Sequence, residues 1–234
     1  MTRYQHIFFD LDHTLWDFHA NSVEALGELY HSFKLNELTK ASTSEVFIER
    51  YIHHNERMWG LYRENRMSKG RLRKARFEAA LEDFGLNDKR LAKQLGDAYL
   101  DVCPRKTKLN DGAIEVLDDL RKDHELHILS NGFHETQLIK LDVSGLAPYF
   151  KHVITSERAS AKKPNPRMYE FAERITGAPK QQSLMIGDNL DIDVAGALNY
   201  GWEAIHFNEH VAASDDRSVN RLIDLIELIR GKGR

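Results

Sequence analysis

The chain has a single cysteine, Cys103, among 234 residues. An internal disulfide is therefore excluded, and nothing points to an oxidising compartment. Long apolar runs are also missing, and none approaches the roughly 18 residues that a membrane-spanning helix needs. Near the start, the apolar Ile7-Phe8-Phe9 is cut short by Asp10 and Asp12, which is too brief for the apolar stretch of a signal peptide. There is no excess of one charge: 36 acidic and 33 basic residues leave a formal charge of −3. Neither a nucleic-acid polymer nor an anionic membrane surface is indicated as a partner. Internal repeats and low-complexity tracts are absent as well. These absences lead to the expectation of a cytoplasmic protein, with its oligomeric state left open.

What is present is ordinary globular chemistry, 41% hydrophobic and 29% charged, in a length that suits one domain or a core with a small insert. Tyr4 to Phe9 is a short apolar segment that ends abruptly in carboxylates, as a buried parallel strand opening into a site would. Four later segments have the same form. Leu126–Leu129 runs into Ser130-Asn131-Gly132, and His152–Ile154 into Thr155-Ser156-Glu157. Ser183–Ile186 runs into Gly187-Asp188-Asn189, and Glu203–Phe207 into Asn208. Helical patterns lie between them, one behind a plausible cap at Asn110-Asp111, another opened by Asn165-Pro166 and closed by Gly177. The fold expected is therefore α/β, a Rossmann-like parallel sheet covered by helices on both faces.

Residues 16–105 break that alternation. Val23, Leu26, Tyr30 and Phe33 share a helical face, as do Leu72, Ala75 and Ala79. Leu91, Leu95, Tyr99 and Val102 stripe a further helix. Helices packed on the sheet would be one account. Some four helices in succession without a strand favour an inserted all-helical domain, which leaves 1–15 and 106–234 as the core. The end, from Gly231 to Arg234, reads as a frayed tail.

Ligands of such sheets bind at the carboxyl ends of the strands, where every polar cluster named above falls. Asp10 and Asp12 are two close carboxylates whose repulsion a divalent cation would relieve, although an aspartate-rich capping turn is equally common. Ser130-Asn131-Gly132 offers a hydroxyl and backbone N–H groups for an anion, or a plain helix cap. Lys163 could be a solvated lysine, and Asp188, Asp191 and Asp193 a cap with surface charge. The four signals together, in the order acid pair, hydroxyl, lysine, acid, carry far more than any one of them.

That order resembles the four motifs of the haloacid dehalogenase-like hydrolase superfamily. They are Asp10-Leu11-Asp12-His13-Thr14, Leu129-Ser130-Asn131-Gly132, Lys163-Pro164 and Gly187-Asp188-Asn189-Leu190-Asp191-Ile192-Asp193. The helical insert between the first two is similar to the cap of the pyrimidine 5′-nucleotidase and beta-phosphoglucomutase branches. The resemblance implies that Asp10 is a nucleophile and Asp12 a general acid and base. It implies Mg2+ held by Asp10, the Asp12 main-chain carbonyl and Asp188. Ser130, Asn131, Gly132 and Lys163 would bind phosphate, with Thr14 and Asp193 in support; only the family register selects Lys163 over Lys162. Asp12 would carry a proton near neutral pH, which needs an environment that raises its pKa.

The true dehalogenases of the family lack an aspartate at the place of Asp12, since halide leaves unprotonated. The implied activity is hydrolysis of a small phosphate monoester, a nucleoside 5′-monophosphate among the candidates. A phosphosugar mutase is the enzymatic alternative, and a non-catalytic binding protein on the same fold is the other. Within the insert, Ser68–Arg73 could contact substrate or simply start a helix. Trp16, Trp59, Tyr62 and Phe133 could stack on a base or pack the interior.

Overall fold

A computed structural model describes residues 3–39, 43–209 and 217–231. It divides into two compact units, Met1–Phe18 with Thr107–Arg234, and His19–Lys106. Residues 232–234 of the expected tail lie outside the described part. No described helix is long and apolar enough to cross a membrane.

The first unit is built on a parallel sheet. Its strands are β1 (His6–Phe9), β2 (Glu125–Ser130), β3 (His152–Thr155), β4 (Ser183–Gly187), β5 (Glu203–Phe207) and β6 (Ser218–Val219), in the order β3-β2-β1-β4-β5-β6. Every position of β1 and β4 is buried, so side chains pointing either way meet protein. This explains why these segments are apolar throughout instead of alternating. The strand order reverses between β1 and β4, which pair through Phe9 and Ile186. A crevice opens at the carboxyl ends of strands flanking such a reversal, and β1 delivers Asp10 there while β4 delivers Asp188.

The second unit is helical: α1 (Phe18–Ser32, whose first residue belongs to the sheet unit), α2 (Leu35–Thr39), α3 (Ser44–Arg63), α4 (Lys69–Glu82) and α5 (Lys89–Val102). Its core is aromatic, with Tyr51 between Phe77 and Tyr99 at centroid distances of 4.6 and 5.4 Å. Ser68 caps α4 by accepting from the Arg71 amide, and Arg71 pairs with Glu78. Trp16 and Phe133 are buried as packing residues.

Around the sheet lie α6 (Ala113–Leu120), α7 (His134–Val143), α8 (Ser156–Ala159), α9 (Pro166–Thr176), α10 (Ala195–Tyr200) and α11 (Asp224–Gly231). Asn165 caps α9 and left-handed Gly177 closes it, as expected from sequence. The expected Asn110-Asp111 cap is different. Helix α6 starts behind Gly112, which has φ +81° and no side-chain cap. The Asn110 amide instead donates to the His13 and Thr14 carbonyls at 3.0 and 2.9 Å. Two carbonyls turned inward by the first loop need a donor more than the helix start does.

Candidate active site

β1 ends at Phe9, yet the Asp10 amide still donates to the Ile186 carbonyl at 2.9 Å. The chain then coils tightly. The Leu15 and Trp16 amides both return to the Leu11 carbonyl, and His13 adopts φ +63°. This coil separates Asp10 from Asp12, and each carboxylate meets its own lysine.

Asp10 Oδ1 lies 2.6 Å from Lys163 Nζ. The same ammonium lies 2.6 Å from Asp193 Oδ1. Asp10, Asp188 and Asp193 form one group whose oxygens converge within 4.8 Å. Burial pushes the Asp10 carboxyl well above the usual carboxylate range. Lys163 opposes this, and Asp193 and Asp188 add to it. Asp188 is likewise raised by burial and then by Asp193. Burial alone would lower Lys163, but Asp10 and Asp193 hold it above its ordinary value.

Three converging carboxylates around one ammonium leave negative charge uncompensated in a mostly buried site. A divalent cation with a preference for oxygen fits that donor set. Thr14 Oγ1 donates to Asp188 Oδ1 at 3.4 Å, and His206 Nε2 donates to the Asp188 carbonyl at 2.8 Å. Asp193 Oδ2 accepts the Asn189 amide at 3.1 Å, while Asp191 is exposed. A side chain at Gly187 would place its Cβ 2.4 Å from Asp193 Oδ2, so only glycine lets this carboxylate approach the end of β4.

Asp12 has different surroundings. Its carboxylate accepts from Lys140, and from Gln137 Nε2 at 2.9 Å. Burial pushes the carboxyl up, but the Lys140 charge and the two hydrogen bonds outweigh it and hold Asp12 below the usual range. The expectation of a protonated Asp12 is therefore corrected: the free protein holds it ionised. Lys140 is itself 4% exposed and sits 4.1 Å above the Trp16 ring.

Sequence reasoning missed Gln137 and Lys140. Their spacing of three on α7 places them on one face, the only local signal available. Gln137 Nε2 also donates to Ser130 Oγ at 2.8 Å, and the Gly132 amide donates to the same oxygen at 3.1 Å. An oxygen that already accepts twice keeps its own proton free to donate. Gly132 must lack a side chain, because a Cβ there would lie 2.0 Å from Gln137 Nε2.

Ser130 is the last residue of β2, and α7 begins only at His134, so Ser130 and Asn131 do not cap it. The Asn131 side chain instead clamps the other loop. It donates to the Lys163 carbonyl at 2.9 Å and accepts the Lys163 amide at 2.8 Å. The structure therefore brings Asp10, Asp188, Asp193 and Lys163 into one cluster. Asp12 and Ser130 are joined through Gln137, the Gly132 amide is joined to Ser130, and Thr14 and Asn131 fasten the loops between.

Comparison with known proteins agrees with this geometry. Residues 4–201 match the model of the haloacid dehalogenase-like hydrolases. The pyrimidine 5′-nucleotidase PynA of Streptococcus pneumoniae is 32% identical over 209 residues, covering 88% of this chain and 85% of its own. The pyrimidine 5′-nucleotidase YjjG of Escherichia coli is 29% identical over 205 residues, covering 87% and 86%. Among solved structures, the magnesium-bound HAD-hydrolase YfnB of Bacillus subtilis superposes with a TM-score of 0.87 at 26% identity, covering 97% of this chain and 99% of that one. The chain belongs to the haloacid dehalogenase-like hydrolases.

Proposed function

We propose that this hydrolase is a magnesium-dependent phosphatase that cleaves small phosphate monoesters through an aspartyl phosphate on Asp10. The observation that carries the reading is the contrast at the sheet's carboxyl end. One aspartate shares a lysine within a carboxylate cluster, and a second, two residues on, is held ionised by another lysine. Phosphoryl transfer needs little more from a protein than positioning and charge neutralisation. Asp10, the Asp12 carbonyl and Asp188 are the groups proposed to hold Mg2+, with Asp193 in support. The ion would supply positive charge against the Asp10 carboxylate and the phosphoryl oxygens.

In the first step an Asp10 oxygen bonds to phosphorus and the ester P–O bond breaks. The leaving oxygen takes a proton from Asp12. In the second step water attacks phosphorus and gives its proton to Asp12, and the bond to Asp10 breaks. The ionised Asp12 of the free protein matches the base required in the second step. A bound phosphate, of like charge, favours the protonated form required in the first. Ser130, with its donor proton free, and the Asn131 amide are the groups proposed to bind phosphoryl oxygens; the Gly132 amide would join them only by leaving Ser130 Oγ, and Lys163 would offset charge.

The two pyrimidine 5′-nucleotidase relatives favour nucleoside 5′-monophosphates as the substrate class. Phosphate release should be followed over pyrimidine and purine 5′-monophosphates, sugar phosphates and small acyl phosphates. Magnesium-dependent release, abolished by EDTA and favouring pyrimidine nucleotides, is expected. A folded sample inert across the whole panel would overturn the phosphatase reading. Preference for another phosphate would overturn the nucleotide assignment alone.

A further inference from the structure

The opposite end of the sheet carries a second group of potential ligands. His6 opens β1, Glu125 opens β2, and His127 follows two residues later. The parallel register sets His6 against Glu125 and Phe8 against His127. With side chains alternating along each strand, His6, Glu125 and His127 share one face. His6 Nδ1 lies 3.2 Å from His127 Nε2 and 3.5 Å from Glu125 Oε2. The three potential ligand atoms all lie within 4.8 Å of one another. Tetrahedral zinc with bonds of about 2.0–2.1 Å holds its ligand atoms roughly 3.3 Å apart, close to both of the measured separations.

Burial favours the ligating form. His6 is 8% exposed and His127 is fully buried. Burial disfavours the charged imidazolium on both rings, the form that cannot ligate a metal. In the metal-free protein one ring donates to the other, and Glu125 Oε1 accepts from Lys151 at 2.6 Å, leaving Oε2 facing His6. Two imidazoles and one carboxylate suit zinc and not magnesium, which demands oxygen ligands. The group lies four residues before Asp10 along the chain, on the order of 13 Å at the rise of a strand. It is therefore separate from the catalytic cluster.

We propose that His6, Glu125 and His127 form a zinc site at the amino end of the sheet, with water in the fourth position. The proposal does not depend on the phosphatase reading, and its test reads metal binding instead of turnover. The full chain, with excess magnesium present to fill the carboxylate cluster, is titrated with zinc chloride by calorimetry. It is titrated in parallel with cobalt(II) followed by visible absorption, where four-coordinate cobalt absorbs intensely and octahedral cobalt weakly. One equivalent of zinc and the intense cobalt band are expected. Glu125→Gln and His6→Gln should each weaken zinc binding by about tenfold or more and remove the band. Asp10→Asn should leave both intact. Glu125 is the least buried of the three ligands, so its variant keeps the test available if a histidine variant misfolds. Absence of zinc binding, or binding unaffected by Glu125→Gln in a folded sample, overturns the proposal. So does binding that Asp10→Asn abolishes, since the zinc would then sit in the catalytic cluster.

Discussion

Asp10 and Asp12 are two residues apart, the first buried and the second half-buried, and both touch a buried lysine, yet their carboxyls shift in opposite directions. Desolvation is the largest influence on each, so it does not explain the difference. The number of carboxylates sharing each lysine does. Lys163 is divided between Asp10 and Asp193, with Asp188 alongside, while Lys140 serves Asp12 alone and Gln137 adds a hydrogen bond. The first arrangement is short of positive charge and can receive a cation. The second is locally balanced. A pair of aspartates nearly adjacent in sequence is thereby divided into one carboxylate set among others around a shared lysine and one balanced by a lysine of its own.

The largest expected effect removes the first member of this comparison. Asp10→Asn should lower turnover by about 10⁴-fold or more with the fold retained, as loss of a nucleophile does elsewhere. Steady-state phosphate release with a circular-dichroism control checks it. Unchanged turnover would remove Asp10 from the chemistry. Lys163→Met should leave Asp10 and Asp193 facing each other without a counter-charge. Breaking such a buried pair costs about 3–5 kcal/mol, measurable by urea denaturation without magnesium. Magnesium at a hundredfold excess over its Kd should add about 2.7 kcal/mol to the native protein. A Lys163→Met protein as stable as the native one would mean that the cluster is not short of positive charge.

The strands around this comparison were legible because parallel strands buried on both faces leave unbroken apolar runs, each ending in polar residues. β6 was not, since Ser218-Val219 is two residues among polar neighbours and carries no period. The convergence of Asp10, Lys163 and Asp188 at the carboxyl end of the sheet was legible from strand ends and motif order. The ionisation of Asp12 was not, because Lys140 lies 128 positions away and only the fold brings α7 to the first loop. The same holds for Asn110, which reads locally as a cap but is used 96 residues back at the Thr14 carbonyl. Local patterns report burial and period, whereas charge balance is set by partners remote in sequence.

Lys140→Met sharpens the second half of the comparison. Without its ammonium, Asp12 loses the charge that orients and ionises it. A decrease in kcat of about 10- to 100-fold is expected, at or below the lower end of the roughly 10²- to 10⁴-fold that general acid–base assistance supplies, because the carboxyl itself remains. Gln137→Ala, which leaves the lysine, should cost less. Pre-steady-state kinetics should show the Lys140→Met loss in phosphoenzyme hydrolysis more than in its formation. A uniform loss in both steps would mean that Lys140 only packs the loop.

The smallest effect concerns burial with no opposing charge, the case neither aspartate represents. His127 is pushed down to about 3, first by burial, then by His6, His152 and Lys151. Its folded pKa lies below the unfolded value near 6.5, so between about pH 3 and 6.5 the unfolded chain binds the extra proton. Stability should be unaffected by this group above pH 6.5 and should fall as pH drops below it. The slope approaches at most about 1.4 kcal/mol per pH unit. Urea denaturation of metal-free protein from pH 7 to pH 5 measures that slope, and His127→Leu should flatten it. An equal slope in native and variant proteins would place the protonation elsewhere. It would also remove the contrast in which a buried imidazole without a counter-ion stays neutral while a buried carboxylate with its own lysine stays charged.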